Sequence, residues 1–228
     1  MPEPIRTVMA WSGGKDSSYA LWRLLNDQRY GVAGLLTTIT EPFDRISMHA
    51  VRRELLDAQA EALGLPVYTV EIPDKCVNPV YEARMGEVVR RLVADGIRAC
   101  AFGDLFLEDV RAYREKMLAG SGLDPLFPIW GEPTHALARQ IIRDGFRAVL
   151  TTVDPRAVPR ALAGREYDDA LLNELPEGTD PCAERGEFHT FVYDAPHFAA
   201  PIAIERGEIV EREGFVFADL LPATPLRA

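Results

Sequence analysis

The sequence predicts an α/β protein, with a mostly parallel sheet covered by helices and a smaller α+β segment after it. Short apolar runs of strand length alternate with amphipathic stretches of helical periodicity through roughly the first 120 residues. Parallel strands need crossover connections, which are usually helices, so this alternation predicts a parallel sheet with right-handed crossovers. The chain has 228 residues, 47% of them hydrophobic, which is enough to bury a large core.

The predicted elements of the first segment begin with a strand that ends in a glycine turn. In chain order they are a strand at 5–11, a helix at 16–29, a strand at 32–39, a helix at 50–63, a strand at 66–72, a helix at 81–94 and a strand at 98–102. Gly31, Gly64 and Gly96 follow the three helices, as expected of residues that end helices. A charged segment at 105–118 comes next and is predicted to be a solvated helix.

The composition of the sequence changes near residue 120. Gly120-Ser121-Gly122 predicts a flexible joint, and the proline-bracketed run at 125–131 predicts an edge strand or a linker. The elements predicted beyond it are a helix at 134–143, a strand at 148–153, a short acidic helix at 168–175, a strand at 188–194 and a hairpin of 202–205 and 208–217 around a turn at 205–208. The predicted domains are therefore residues 1–120 and residues 124–228.

The formal net charge of −10 limits the partners that the sequence predicts. A nucleic-acid partner is not expected, since binding to a phosphate backbone needs clustered Lys and Arg. No window approaches 18 uncharged apolar residues and the N-terminus lacks a signal-peptide pattern, so we expect a cytoplasmic protein without a membrane partner. The three cysteines include no CxxC pair, which argues against a disulfide framework and a zinc or iron–sulfur site. A homo-oligomer is left open.

The segment at 11–18, with the letters WSGGKDSS, has the features of a phosphate-binding loop. An apolar run stops at two glycines, where the absence of a Cβ lets the backbone turn and approach a ligand closely. The helix that follows offers free N–H groups and a favourable dipole to an anion, and Lys15 adds a positive charge. The alternative is an ordinary strand-to-helix turn with a capping residue. The residues concerned are Ser12, Gly13, Gly14, Lys15, Asp16 and Ser17.

Two further segments lie at the carboxyl ends of predicted strands, where open α/β sheets bind their ligands. The second predicted strand runs into a long polar loop that contains His49. The fourth predicted strand stops at Gly103-Asp104, and Asp104 and Arg111 lie nearest to this edge. The alternatives are a loop histidine without a role and a solvated helix in which Arg111 pairs with Glu115.

Two carboxylates near the C-terminal end of the chain form another candidate site. Glu184 and Glu187 flank a glycine just ahead of the strand predicted at 188–194. Placed at the rim of a cleft, one of them could accept a proton or hold a cation. The alternative is a charged turn.

The hexad SGGKDS at 12–17 resembles the loop of the ATP pyrophosphatases, the PP-loop or adenine nucleotide alpha hydrolase-like superfamily, and differs from the GxxxxGK[ST] loop. Within that superfamily the chain resembles the diphthine ammonia ligase (diphthamide synthetase) family, as a bacterial relative. The resembling segments span nearly the whole chain and are 47–49, 62–67, 102–104, 125–130 and 182–196. The last is similar to the family signature G-E-x-G-E-[YF]-x-T-[FL].

The chain departs from that signature at one position. Ala183 stands where the family pattern has glycine, and a left-handed backbone there would cost alanine about 1 kcal/mol or more. The fold implied by the resemblance is a HUP/Rossmann-like parallel sheet sandwiched by helices, with a smaller α+β C-terminal domain. The segment at 182–190 would then belong to the acceptor or ammonia site rather than to the nucleotide site.

The resemblance implies an adenylate-forming amide ligase that uses ATP and Mg²⁺, releases AMP and pyrophosphate, and joins ammonia to a carboxylate. The acceptor would be a small-molecule or protein-borne carboxylate. The implied catalytic residues are Lys15, Asp104, Glu184 and Glu187. The residues implied to bind ATP are Ser12, Gly13, Gly14, Lys15, Asp16, Ser17, Thr38, Met48, His49, Gly103 and Arg111. The implied metal ligands are Asp16 and Asp104.

Two other functions are weighed against this one. A tRNA-modifying PP-loop adenylase would be expected to carry an extra basic domain or cysteine pairs, and the sequence has neither. A non-catalytic ATP- or AMP-binding module would not need the dense C-terminal signature. The sequence does not indicate which carboxylate is the acceptor, or whether it is diphthine.

Overall fold

The structure is a computed structural model that describes residues 3–47 and 49–223. The helices are α1 (Lys15–Leu25), α2 (Arg53–Leu63), α3 (Asn78–Ala94), α4 (Glu108–Leu118), α5 (Thr134–Arg143) and α6 (Asp169–Glu174). The strands are β1 (Ile5–Ala10), β2 (Tyr30–Thr40), β3 (Arg45–Ile46), β4 (Val67–Ile72), β5 (Ala99–Ala101), β6 (Asp124–Leu126), β7 (Arg147–Val153), β8 (Phe188–Asp194), β9 (Ile204–Arg212) and β10 (Phe215–Pro222).

The N-terminal strands form a parallel sheet, which confirms the predicted fold class. β2, β1, β5 and β6 lie side by side in that order, and β3 and β4 both pair with β2. The pairs β1–β2, β1–β5, β2–β4 and β5–β6 are all parallel. β6 ends this order, and its Pro125 pairs with Cys100 of β5. Proline has no N–H and would leave a gap in the hydrogen-bond ladder of an interior strand, so it is tolerated at a sheet edge.

One apolar core joins this sheet to the helices that pack on it. Val8 of β1, Leu36 of β2, Leu92 of α3 and Cys100 of β5 belong to a single buried cluster. Burial of each such side chain stabilises the fold by about 1.5–3 kcal/mol. Burial also raises the pKa of the Cys100 thiol to about 12, because the thiolate would lose its hydration. Cys100 is 1% exposed and belongs to this core.

The first helix ends earlier than predicted. α1 stops at Leu25 rather than at residue 29, and Gly31 lies inside β2 instead of closing the helix. The carboxylate of Asp27 accepts hydrogen bonds from both the backbone N–H and the guanidinium of Arg29. An aspartate that bonds its own backbone two residues on favours a turn over a helix, so the chain turns between α1 and β2.

The C-terminal strands form an antiparallel sheet in the order β8, β7, β10, β9. The hairpin turn between β9 and β10 lies at Glu213-Gly214, so the turn predicted at 205–208 is wrong. Both turn residues have positive φ, 50° and 83°, which suits the two-residue turn that matches strand twist. Gly207 lies within β9, where a Cβ would come 3.3 Å from the Cβ of Asp219. This glycine permits close strand packing rather than a turn.

The chain divides into two compact units that are not continuous in sequence. The first contains the described residues of 1–12, 16–45 and 65–131, and the second contains those of 13–15, 46–64 and 132–228. α2 belongs to the second unit, where Arg52 forms an ion pair of 2.6 Å with Asp219. The units therefore do not coincide with the predicted domains 1–120 and 124–228. Helical periodicity reveals that α2 has an apolar face but not which element covers it.

The helices of the described residues are too short or too polar to cross a membrane.

Candidate active site

The glycine loop between β1 and α1 is held in a conformation that requires glycine. Gly13 has φ of 77°, and a Cβ there would lie 2.9 Å from Oε1 of Gln59. The buried Gln59 amide donates to the carbonyls of Gly13 (3.0 Å) and Val192 (2.7 Å), and the Val192 N–H donates to Gly13 (2.9 Å). The sequence analysis missed Gln59. Its signal was a polar residue on the apolar face of α2, beside the buried Leu55 and Leu56.

The serines of the loop lie beside the end of β5, within the first unit. The hydroxyls of Ser12 and Ser17 are hydrogen-bonded at 3.0 Å. A Cβ on Gly103 would come 2.8 Å from the backbone nitrogen of Ser17 and 2.9 Å from the carbonyl carbon of Asp16. Only glycine therefore lets the end of β5 approach the start of α1 this closely. The structure brings together these predicted residues from two segments of the chain.

The side chain of Lys15 is directed into the second unit and is only 2% exposed. Its ammonium donates to the carbonyl of Cys182 at 2.5 Å and lies 5.3 Å and 5.5 Å from the ring centroids of Tyr167 and Phe188. Its backbone N–H donates to the hydroxyl of Thr190 at 3.1 Å. The ammonium is thus held by a carbonyl and two aromatic faces, and its contact with a phosphate stays a prediction.

These contacts change how the segment at 182–190 is interpreted. The resemblance places this segment in an acceptor or ammonia site rather than in the nucleotide site. Cys182 and Thr190, near its two ends, both hydrogen-bond Lys15 of that loop. Both ends of the segment therefore adjoin the predicted nucleotide loop, and its assignment to the acceptor or ammonia site stays a prediction.

Two buried carboxylates shape the turn that precedes β8. Asp180 accepts hydrogen bonds from the backbone N–H groups of Cys182 (3.3 Å) and Glu184 (2.8 Å). Glu187 accepts from the N–H groups of Asp180 (3.3 Å) and Arg185 (3.1 Å). Because both Glu187 oxygens are engaged by the backbone, this predicted catalytic residue has a clear structural role. Glu184 is half-buried, and Asp180 was missed by the sequence analysis.

Ala183 adopts the left-handed conformation that the family pattern anticipates with glycine. Its φ is 58°, and that of Gly186 is 85°. The Ala183 N–H donates to the carbonyl of Asp180 at 2.8 Å, and the Gly186 N–H donates to the carbonyl of Ala183 at 3.0 Å. Two tight turns follow each other, at 180–183 and 183–186. The carbonyl of Cys182, within the first turn, accepts the hydrogen bond from Lys15. An L-residue in this conformation costs roughly 1–2 kcal/mol, which the hydrogen bonds offset.

A pair of histidines lies in the same unit as Lys15. The ring centroids of His49 and His189 are 4.3 Å apart, and Nδ1 of His49 is buried without a hydrogen-bond partner among the described residues. Burial, together with the nearby Lys15 cation, lowers the pKa of His189 to about 4. Burial lowers the pKa of His49 well below its ordinary value, assisted by His189 and Lys15. Both imidazoles are therefore neutral near pH 7.

The sequence analysis identified only one member of this pair. His49 was singled out in the loop after the second strand, whereas His189 was quoted within the signature without a role. The signal that could have found it was a polar residue in a strand with buried neighbours. Met48, implied by the resemblance to bind ATP, falls outside the described residues.

The charged residues after β5 have partners within the first unit. Asp104 receives a hydrogen bond of 3.5 Å from Arg114, and burial nevertheless raises the pKa of this carboxyl. Arg111 bonds Glu115 at 2.8 Å, and its guanidinium lies 4.8 Å from the ring of Phe127. The predicted helical pair is therefore present. The guanidinium of Arg111 is thus packed against protein groups. Binding of ATP by Arg111 stays a prediction.

Two other parts of the predicted site are Thr38 and the metal ligands. Thr38 is a half-buried residue of β2 that pairs with Val70 of β4. No cluster of three His, Cys, Asp or Glu side chains suited to a metal ion occurs among the residues that the structure describes. Mg²⁺ commonly takes only one or two carboxylates and completes its shell with phosphates and waters. Gly103, the neighbour of Asp104, packs against the backbone of Asp16, so the two implied ligands lie on adjoining segments, and a magnesium ion held by their carboxylates stays a prediction.

Comparison with known proteins agrees with this arrangement along most of the chain. The family model of the diphthamide synthase N-terminal domain matches residues 5–125, and that of the diphthamide synthase C-terminal domain matches residues 133–219. A diphthine–ammonia ligase of Bos taurus is 26% identical over 235 residues, covering 94% of this chain and 88% of the relative. The corresponding ligase of Danio rerio is 27% identical over 241 residues, with 94% and 92% covered.

Among solved structures, a predicted subunit of a tRNA methyltransferase from Methanocaldococcus jannaschii is 18% identical, with a TM-score of 0.45. The match covers 84% of this chain and 98% of that one. The two domain models together account for both compact units, from β1 to β10. The chain therefore belongs to the diphthamide synthase family.

Proposed function

We propose that this protein is an ATP-dependent ligase that joins ammonia to a carboxylate and releases AMP and pyrophosphate. The observation that carries the proposal is the hydrogen bond between Lys15 and the carbonyl of Cys182, which joins the SGGKDS loop to the C-terminal signature. A module that only bound a nucleotide would have no need for that connection. The diphthine–ammonia ligases that match this chain over 94% of its length support the same chemistry.

The first step activates the carboxylate. One of its oxygens attacks the α-phosphorus of ATP, the bond from that phosphorus to the oxygen bridging to the β-phosphate breaks, and pyrophosphate leaves. Catalysis of such a transfer depends mainly on positioning and on neutralising negative charge. The N–H groups of Gly13 and Gly14 and the hydroxyls of Ser12 and Ser17 would hold the departing phosphates, with Lys15 beside them. Mg²⁺, held by carboxylates of the first unit, would share the phosphate charge when bound.

The second step forms the amide. Ammonia attacks the acyl carbon of the adenylate, the carbon–oxygen bond to AMP breaks, and the nitrogen gives up one proton. Glu184 is the carboxylate of the signature that we assign to this proton, because both oxygens of Glu187 already accept backbone hydrogen bonds. The loop that carries Glu184 is pinned through the bond of its N–H to Asp180, which orients it ahead of β8.

The test measures nucleotide products in the presence of ATP, MgCl₂, ammonium chloride and a carboxylate acceptor. Candidate acceptors are a diphthine-bearing protein, taken from the relatives' name, and fractions of small carboxylates. Anion-exchange chromatography should show AMP and pyrophosphate in equal amounts, dependent on the acceptor. Formation of ADP would contradict the proposal, and stimulation by tRNA instead of a carboxylate would favour a tRNA-modifying adenylase. Tight ATP binding without turnover on any acceptor would mean that the protein is a non-catalytic nucleotide-binding module.

A further inference from the structure

The histidine pair, His49 and His189, is half-buried and belongs to a polar cluster that the proposed steps do not use. Thr152 of β7 is the cross-strand partner of His189 in β8, so the two side chains stand on the same face of the sheet. The β7 strand bulges at this point, between Leu150 and Thr152. The cluster thus combines two imidazoles and a hydroxyl at an irregular place in the sheet, a feature often found beside active sites.

Several polar atoms of this region have no visible partner. Nδ1 of His49 and the hydroxyl oxygens of Thr151 and Thr152 are buried and make no hydrogen bond among the described residues. Buried polar groups in folded proteins are nearly always satisfied, so each exception calls for an explanation. A small molecule that both donates and accepts hydrogen bonds would satisfy such groups together.

From these observations we propose that the histidine pair and Thr152 form the binding site for ammonia. The proposal rests on the proposed ligase function, since it names where that reaction holds its nitrogen substrate. Ammonia fits the donor set, because it donates to an imidazole nitrogen or a hydroxyl oxygen and accepts from a hydroxyl. It is also small enough for a site lined by buried groups.

The location of the cluster agrees with this role. Thr190, the neighbour of His189 in β8, accepts the backbone N–H of Lys15 at 3.1 Å. Val192, two residues further, donates to the carbonyl of Gly13 at 2.9 Å. The strand that carries His189 therefore runs beside the glycine loop proposed to bind ATP, on which the acyl-adenylate would form.

The electrostatics of the cluster select the reactive form of the nitrogen. Only unprotonated ammonia has the lone pair needed to attack an acyl carbon. The burial and the Lys15 cation that lower the pKa values of His49 and His189 disfavour any positive charge at this place. An ammonium ion that entered would lose its proton more readily than in water. Among the described residues, His189 and Lys15 act electrostatically on His49, and Lys15 acts on His189.

The proposal is tested by NMR on the whole protein without ATP or acceptor. Proton–nitrogen correlation spectra of the imidazole rings are recorded during titration with ammonium chloride, with potassium chloride as the control for salt. The resonances of His49 and His189 should shift and saturate. His197, a half-buried histidine beside Phe146 whose pKa is also lowered to about 4, and the exposed His135 serve as controls within the same spectrum and should not respond.

The pH dependence of this titration identifies the species bound. If neutral ammonia binds, the apparent affinity for total ammonium should rise about tenfold between pH 7 and pH 8, as the neutral fraction does. An affinity that does not change with pH would mean that the cation binds, and would overturn the proposal. Shifts that potassium chloride reproduces, or the absence of shifts at His49 and His189, would overturn it as well.

Two variants separate a binding site from a structural cluster. Thr152→Val removes a hydroxyl that has no described partner, so the protein should fold, and ammonia should bind about three- to tenfold more weakly. His49→Gln should weaken binding similarly, and His135→Ala should leave it unchanged. Unaltered ammonia affinity in a folded Thr152→Val protein and in a folded His49→Gln protein would refute the site.

The outcomes also distinguish this site from the ligase function on which it rests. Acceptor-dependent formation of AMP without any response of the histidine pair would uphold the ligase and remove the ammonia site. A saturable response of the pair without formation of AMP on any acceptor would uphold the binding site and remove the ligase.

Discussion

The ammonium of Lys15 donates a hydrogen bond of 2.5 Å to the backbone carbonyl of Cys182, a residue 167 positions further along the chain. Lys15 is 2% exposed, and the carbonyl is presented to it by a turn in which Ala183 has positive φ. The cation is therefore satisfied by the C-terminal signature before any nucleotide arrives. These contacts give Lys15 a role in the fold, whereas its role at a phosphate site stays a prediction.

Replacing Lys15 should weaken ATP binding. Lys15→Met keeps a long apolar stem but removes the charge, and loss of a charge-assisted contact costs about 1.5–3 kcal/mol, or about 10- to 150-fold in affinity. Isothermal titration with ATP measures this effect, and Lys116→Met, on the exposed side of α4, is the control. Unchanged ATP affinity in a folded Lys15→Met protein would remove the loop from the proposed site.

The two glutamates of the signature should respond differently to loss of charge. Glu187→Gln places an amide donor against two backbone N–H groups, so the free energy of unfolding should fall by about 1–3 kcal/mol. Glu184→Gln should leave ATP binding intact and lower turnover by about 10²- to 10⁴-fold, the range for loss of a general base. Urea unfolding and acceptor-dependent pyrophosphate release test the pair. Normal turnover of Glu184→Gln would leave it as part of a charged turn.

Glycine at position 183 should make the protein more stable. Ala183→Gly relieves left-handed strain of roughly 1–2 kcal/mol, against about 0.4–1 kcal/mol of added flexibility in the unfolded chain, so a net gain of up to about 1 kcal/mol is expected. Ala119→Gly, where φ is −55°, is the matched control and should lower stability. Thermal or urea unfolding compares the two. A loss of stability in Ala183→Gly would show that the strain is absorbed elsewhere.

Stability should decline as the solution becomes mildly acidic. The pKa values of His189 and His197 are lowered by burial to about 4, below the value of about 6.5 expected in the unfolded chain. The unfolded state then binds more protons between these values, so the stabilisation is complete above about pH 6.5 and is lost as pH falls toward 4. Urea midpoints at several pH values measure the slope. His197→Phe should make stability depend less steeply on pH. An unchanged slope would mean that burial does not lower the pKa of His197.

Local sequence patterns determined much of this protein. The alternation of apolar runs and helical periodicity predicted the parallel sheet, and α5 begins and ends at the predicted residues 134 and 143. The glycine turn after β1 was also anticipated, because glycine carries its own φ preference. The left-handed conformation of Ala183 was considered only through the family resemblance, since alanine by itself disfavours it. The hairpin turn was misplaced because glycine is typical of turns and Gly207 was interpreted as one. Glu213-Gly214, the actual turn, lies in a run of charged residues.

The tertiary structure decided which of these segments meet. It directs Lys15 toward Cys182, pairs the imidazoles of His49 and His189, and engages Glu187 with backbone N–H groups rather than leaving both of its oxygens open to a substrate. Each of the first two contacts joins residues more than about a hundred positions apart, and the cost of closing such loops depends only weakly on their length. Local periodicity carries no information on these encounters. They depend on the path of the whole chain, and the proposed site is built from them.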